Sequence, residues 1–129
     1  MSQAILALLA VVVAFVVGMQ VLVRVRANAM RGRPLPAVPG PIGAKIAAAK
    51  SALVYFTSPS CGACRPWTPK VKELSQRNRN VFLVDVSQNF EVARALSVMA
   101  TPTTIEVRDG QVAGVHIGGI PKEVLERFA

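Results

Sequence analysis

A small α/β domain with a mixed central sheet flanked by helices, preceded by one N-terminal transmembrane helix, is the fold class this sequence predicts. Three observations lead there. Ala4 to Val23 is an apolar run with no charged side chain, broken only by Gly18, Met19 and Gln20. Beyond Lys50, short apolar runs of strand type alternate with helix-type patterns, as βαβ units require. Asp109-Gly110 then separates two apolar runs and marks a tight hairpin, so the last strand pair is antiparallel.

About 20 apolar residues are what a helix needs to cross a bilayer. A buried soluble helix of that length would need a large core around it, and a chain of 129 residues cannot supply one. Residues 1–23 are therefore expected to form an uncleaved anchor. A cleaved signal peptide is the competing reading, because Ala27-Asn28-Ala29 has the A-x-A form of a cleavage site. Two features oppose it. No Lys or Arg precedes the apolar run, and Arg24 and Arg26 stand between the run and the triplet.

Net charge is +8 and unevenly spread. Arg24, Arg26, Arg31, Arg33, Lys45 and Lys50 occur with no acid among them, which leaves nine basic and seven acidic residues elsewhere. No aromatic side chains interleave with the arginines and no nucleic-acid motif is present, so nucleic-acid binding is not the reading. Four arginines beside a span suit anionic lipid headgroups and act as a topology signal. They flank only the C-terminal side, so the positive-inside rule puts the following domain in the cytoplasm, with an extracytoplasmic domain as the alternative. Residues 24–43 carry Pro34, Pro36, Pro39 and Pro41 among small residues. They are expected to form an extended, semi-rigid linker that stands the domain off the bilayer.

Residues 44–129 are expected to form the folded domain. Ile42 to Lys50 reads as a short alanine-rich helix. Ala52 to Thr57 is a continuous apolar run of buried-strand type. A helix is expected from Cys61 to about Arg77, with Val71 and Leu74 on its inner face. Val81 to Val86 reads as a second buried strand, and a helix from about Asn89 to Leu96 follows it. Thr103 to Arg108 and Gln111 to Ile117 flank the hairpin turn. Pro121 suits the first turn of a closing helix.

Cys61-Gly62-Ala63-Cys64 lies where the first strand gives way to a helix. These are the only two cysteines, so any intramolecular disulfide must join them. A helix N-terminus stabilises a thiolate there, because unpaired backbone N–H groups point at it. Structural zinc wants four Cys or His ligands. Only His116 is available besides the cysteines; it reads as an ordinary strand residue, and no metal is expected.

This order, with CxxC after the first strand and Thr-Pro before the hairpin, resembles the thioredoxin family over about Lys50 to Ala129. Pro69, five residues past Cys64, matches the family's helix-kinking proline. Thr101-Pro102-Thr103 matches its cis-proline segment, Asp109-Gly110 its hairpin, and Gly118-Gly119 the glycine after it. The resemblance implies roles. Cys61 is the attacking thiolate and the more buried Cys64 resolves the mixed disulfide. Pro102, if cis, presents the backbone of Thr101 to a substrate chain. Gly62, Ala63, Arg65 and Pro69 support the pair, with Arg65 a source of positive charge. No cofactor is implied beyond a redox-active Cys61–Cys64 disulfide, and the implied partner is a protein thiol or disulfide.

Departures from the family pattern are specific. Ser60 and Ala63 stand where it usually has Trp and Pro. Tyr55 stands where it has a buried Asp that moves the resolving thiol's proton, and a tyrosine is a poor base at neutral pH. Pro66 is an additional proline expected to disturb the helix ladder. The family's first strand corresponds to Leu35-Pro36-Ala37-Val38, short and proline-broken. Trp67 covers one side of the helix, as packing or as a partner-facing anchor. Two functions stay open: a membrane-anchored thiol–disulfide oxidoreductase, or a non-catalytic accessory subunit of a membrane complex in which the fold only docks.

Overall fold

The structure is a computed structural model. It describes residues 2–29 and 31–129; Met1, Met30 and the side chains of Ala27 and Asn28, hence most of the A-x-A triplet, lie outside the described residues. The elements in order are helix α1 (Ser2–Ala29), helix α2 (Gly40–Ala48), strand β1 (Ser51–Thr57), a 3-10 turn (Gly62–Cys64), helix α3 (Thr68–Arg77), strand β2 (Val81–Asp85), helix α4 (Phe90–Ala95), strands β3 (Thr103–Arg108) and β4 (Gln111–Ile117), and helix α5 (Lys122–Phe128).

The sheet has the order β2-β1-β3-β4. β1 runs parallel to β2 and antiparallel to β3, and β3 runs antiparallel to β4. β1 is thus central, which explains its continuous apolar run: Ala52 to Phe56 are all fully buried. Alternation along the strand splits the core in two. Val54 and Phe56 pack with Ile46, Val84, Leu96 and Ile105 on one face. Leu53 and Tyr55 pack with Val71, Leu74, Val124 and Phe128 on the other, beneath α3 and α5. The hairpin forms because Asp109 (φ 52°) and Gly110 (φ 74°) both take the left-handed conformation that a primed turn needs.

Four expectations need correction. β2 is an edge strand rather than a buried one, and its Leu83 is 37% exposed. The helix expected from Cys61 to Arg77 is broken into a three-residue 3-10 turn and a separate α-helix from Thr68. α2 begins at Gly40, two residues before the expected Ile42. The proline-rich segment does not simply stand away from the domain, because Gly32 and Leu35 donate backbone hydrogen bonds to Val112 and Gly110, and Val112 donates to Arg33.

Helix α1 is long and apolar enough over Ser2–Arg26 to cross a membrane, by length and composition. Its C-terminal part lies against β4. Val23 is the single half-buried residue among those of α1 whose burial is described; the others are exposed.

Candidate active site

β1 carries the chain to the end of the sheet where β4 finishes and β3 starts, since Phe56 pairs with Thr103 and Thr103 with Ile117. Ser58 and Pro59 turn the chain there, and the Cys61 N–H donates to Ser58 O (3.1 Å). Cys64 N–H then donates to Cys61 O (3.3 Å) and Arg65 N–H to Gly62 O (3.2 Å), closing the 3-10 turn. Pro66 and Pro69 have no N–H to give a continuous ladder. Pro69 therefore sits in the first turn of α3, where a missing N–H costs nothing, and starts a helix instead of kinking one. The macrodipole expected at Cys61 is correspondingly reduced: Cys61 caps three residues, and α3 opens only at Thr68.

Cys61 and Cys64 are joined in a disulfide with their Cα atoms 5.4 Å apart. Cys64 is 2% exposed, whereas Cys61 is half-buried and Gly62, Ala63 and Arg65 lie open to solvent. The Thr101–Pro102 peptide bond is cis. Its loop is held from both sides: Thr103 Oγ1 donates to Ala100 O (2.6 Å), and Gly118 N–H donates to Pro102 O (3.0 Å). Strand register thus brings the predicted substrate-binding pair and the cystine to one end of the sheet.

Tyr55 is fully buried beneath the pair. Its hydroxyl lies 3.0 Å from Thr68 Oγ1 and 3.4 Å from Cys64 O. Thr68 Oγ1 donates to Cys64 O (3.0 Å), and Thr57 Oγ1 lies 3.3 Å from Thr68 Oγ1. Every side-chain hydrogen bond reaching Cys64 therefore comes from a hydroxyl and ends on its carbonyl oxygen. Trp67 resolves as packing: it rests on the Leu53–Tyr55 side of the core, and a Cβ on Gly119 would come within 3.0 Å of its Cζ2. Lys70 Nζ lies 5.2 Å from the ring centroid.

A second polar cluster escaped the sequence reading. Glu106, in β3, is only 5% exposed. Arg127 donates to its Oε1 (2.7 Å) and His116 Nε2 to its Oε2 (3.2 Å). Burial alone would raise the Glu106 pKa, but the hydrogen bonds and charges of Arg127 and His116 outweigh it and hold the carboxyl below its usual range. Gly114 makes room, since a Cβ there would stand 2.8 Å from Glu106 Oε2. An acid inside an apolar strand is the only signal the sequence offered.

Comparison with known proteins agrees with this geometry. A family model described as Thioredoxin matches residues 43–129. Thioredoxin of Bacillus subtilis is 35% identical over 79 residues, covering 59% of this chain and 76% of that protein. Thioredoxin Asp f 28 of Aspergillus fumigatus is 38% identical over 77 residues, covering 57% and 71%. Among solved structures, Fasciola hepatica thioredoxin aligns with a TM-score of 0.51 at 33% identity, over 61% of this chain and 78% of that one. Oxidised mitochondrial thioredoxin 3 from Saccharomyces cerevisiae gives a TM-score of 0.52 at 28% identity, over 64% and 80%. With a cystine after the central strand and a cis proline at the same sheet end, the chain belongs to the thioredoxin family and carries that family's disulfide oxidoreductase fold.

Proposed function

We propose that this protein is a membrane-anchored thiol–disulfide oxidoreductase that exchanges disulfides with a protein substrate. The observation that carries the reading is the asymmetric cystine, with Cys61 reachable and Cys64 enclosed. In the reducing direction the Cys61 thiolate attacks one sulfur of a substrate disulfide. A mixed disulfide forms and one substrate thiolate leaves. Cys64 then loses its proton and attacks Cys61 Sγ, closing the Cys61–Cys64 bond and releasing the second substrate thiolate. Two electrons pass to the substrate, and a thiol donor restores the dithiol. Thr101, at the cis proline, offers its backbone for strand-like pairing with the substrate chain.

The anchor is residues 1–23, with Arg24, Arg26, Arg31 and Arg33 contacting anionic headgroups and the domain on the cytoplasmic side. Helix α1 is long and apolar enough to span a bilayer, and the arginines that follow the run support an anchor over a signal sequence.

The test is the redox equilibrium of the full chain in detergent against glutathione and dithiothreitol buffers, with Cys61→Ser as control. A reversible two-electron transition that the substitution abolishes is expected. A pair that neither cycles nor reacts with an alkylating reagent would instead make the fold a docking module.

A further inference from the structure

Among the described residues, helix α1 packs on the domain chiefly against β4, at the redox end of the sheet. The turn of Met19, Gln20, Val23 and Arg24 borders one cleft with Ala100, Ile117 and Gly118. Val23 also borders a small cavity lined by Met99 and Thr103. Ala100 and Gly118 are the residues that hold the cis-proline loop, through the bonds to Thr103 and Pro102. Gly119, next in the chain, lies against the Trp67 ring, and the Trp67 backbone N–H donates to Cys64 O (3.0 Å). A short run of contacts therefore leads from the anchor to the cystine.

Position along α1 fixes where that contact lies in a bilayer. Ala4 to Val21 would span roughly 27 Å at 1.5 Å per residue, close to the ~30 Å hydrocarbon thickness. Met19 and Gln20 then lie in the outermost turn of the hydrocarbon, and Val23, Arg24 and Arg26 stand at the headgroups. Met99 (50% exposed) and Ile117 (38% exposed) are apolar side chains bordering the same contact.

We infer that α1 holds the redox end of the sheet against the bilayer surface, so that the partner is a cysteine or cystine located in the headgroup layer of a membrane protein. The inference rests on the anchored-oxidoreductase reading and adds an orientation to it. A soluble protein disulfide would have to enter beneath the domain. One carried by a membrane-embedded chain is already at the right depth and at high effective concentration.

Trp67 is the sole tryptophan, so its emission reports the distance of this end from lipid. The experiment places the reduced full chain in phosphatidylcholine–phosphatidylglycerol vesicles containing a headgroup-spin-labelled lipid. In parallel, it follows oxidation by two disulfide probes: a transmembrane peptide with an interfacial disulfide, and a water-soluble peptide of the same local sequence. Strong quenching of Trp67 is expected, relieved in part by Val23→Gln and, separately, by Ile117→Gln. The interfacial disulfide should react about tenfold or more faster than the soluble one. Trp67 unquenched while both probes react overturns the orientation and leaves the oxidoreductase standing. Quenching with equal rates for both probes overturns the choice of partner. Quenching with neither probe reacting overturns the oxidoreductase reading and the partner with it.

Discussion

Two buried polar clusters share one face of the sheet and differ in kind. Tyr55 pairs with Thr104 and Leu53 with Glu106, so the Tyr55 hydroxyl group and the Glu106 carboxylate lie one strand over and two residues along from each other. Around Cys64 the polar groups are the hydroxyls of Tyr55, Thr57 and Thr68. Around Glu106 they are charged or titratable, Arg127 and His116. The domain thus keeps a buried carboxylate, but away from the cystine, where it fastens α5 to the sheet. Beside the cystine it keeps hydroxyl groups that bond to the Cys64 carbonyl and to one another.

Several substitutions break or sharpen this contrast. The largest effect is expected from Tyr55→Asp, which puts a carboxyl and a cavity into a fully buried site. It should cost about 3–5 kcal/mol in denaturant unfolding. Next, Arg127→Ala leaves Glu106 buried with His116 alone. Because Arg127 is 46% exposed, a loss of about 1–3 kcal/mol at neutral pH is expected rather than the full cost of a severed buried pair.

The ionic cluster also has a pH signature. The folded Glu106 pKa is depressed, so its contribution is fully present above the ordinary carboxylate range of the unfolded chain. That contribution should fade as pH falls through the folded value, and Glu106→Gln should flatten this acid limb of the stability curve. Unfolding midpoints measured from neutral pH into acid check it. The smallest effect belongs to Tyr55→Phe, about 1 kcal/mol or less. The pH profile of disulfide exchange by this variant should match the parent, because the hydroxyl meets the Cys64 carbonyl and not its sulfur. A profile that moves would give Tyr55 a proton-transfer role.

The two clusters were unequally visible in the sequence. Cys61, Cys64, Thr101 and Pro102 announce themselves by local spacing, and Asp109-Gly110 fixed both hairpin strands to the residue. Tyr55 was legible by its offset from Cys61, although its partner Thr68 was not, since the helix break at Pro66 brings it there. Glu106 was illegible because a lone acid in a strand reads as solvent-facing. Its partners come from the next strand and from a helix 21 residues away. The edge position of β2 was hidden for a similar reason: strand order follows from long-range pairing, not from the Val81–Val86 run. Nor does an evenly apolar helix show which side of Val23 will meet the domain.

The backbone bonds of Gly32, Arg33 and Leu35 to the hairpin turn and the start of β4 have a further consequence for the sheet's edges. An outer strand with free N–H and C=O groups invites a neighbouring chain to add to the sheet. Here the chain's own proline-rich segment takes the first rungs of β4, and α1 lies over its far end. The N-terminal segment thus closes the β4 edge of the sheet and leaves β2 as the edge open to a further strand.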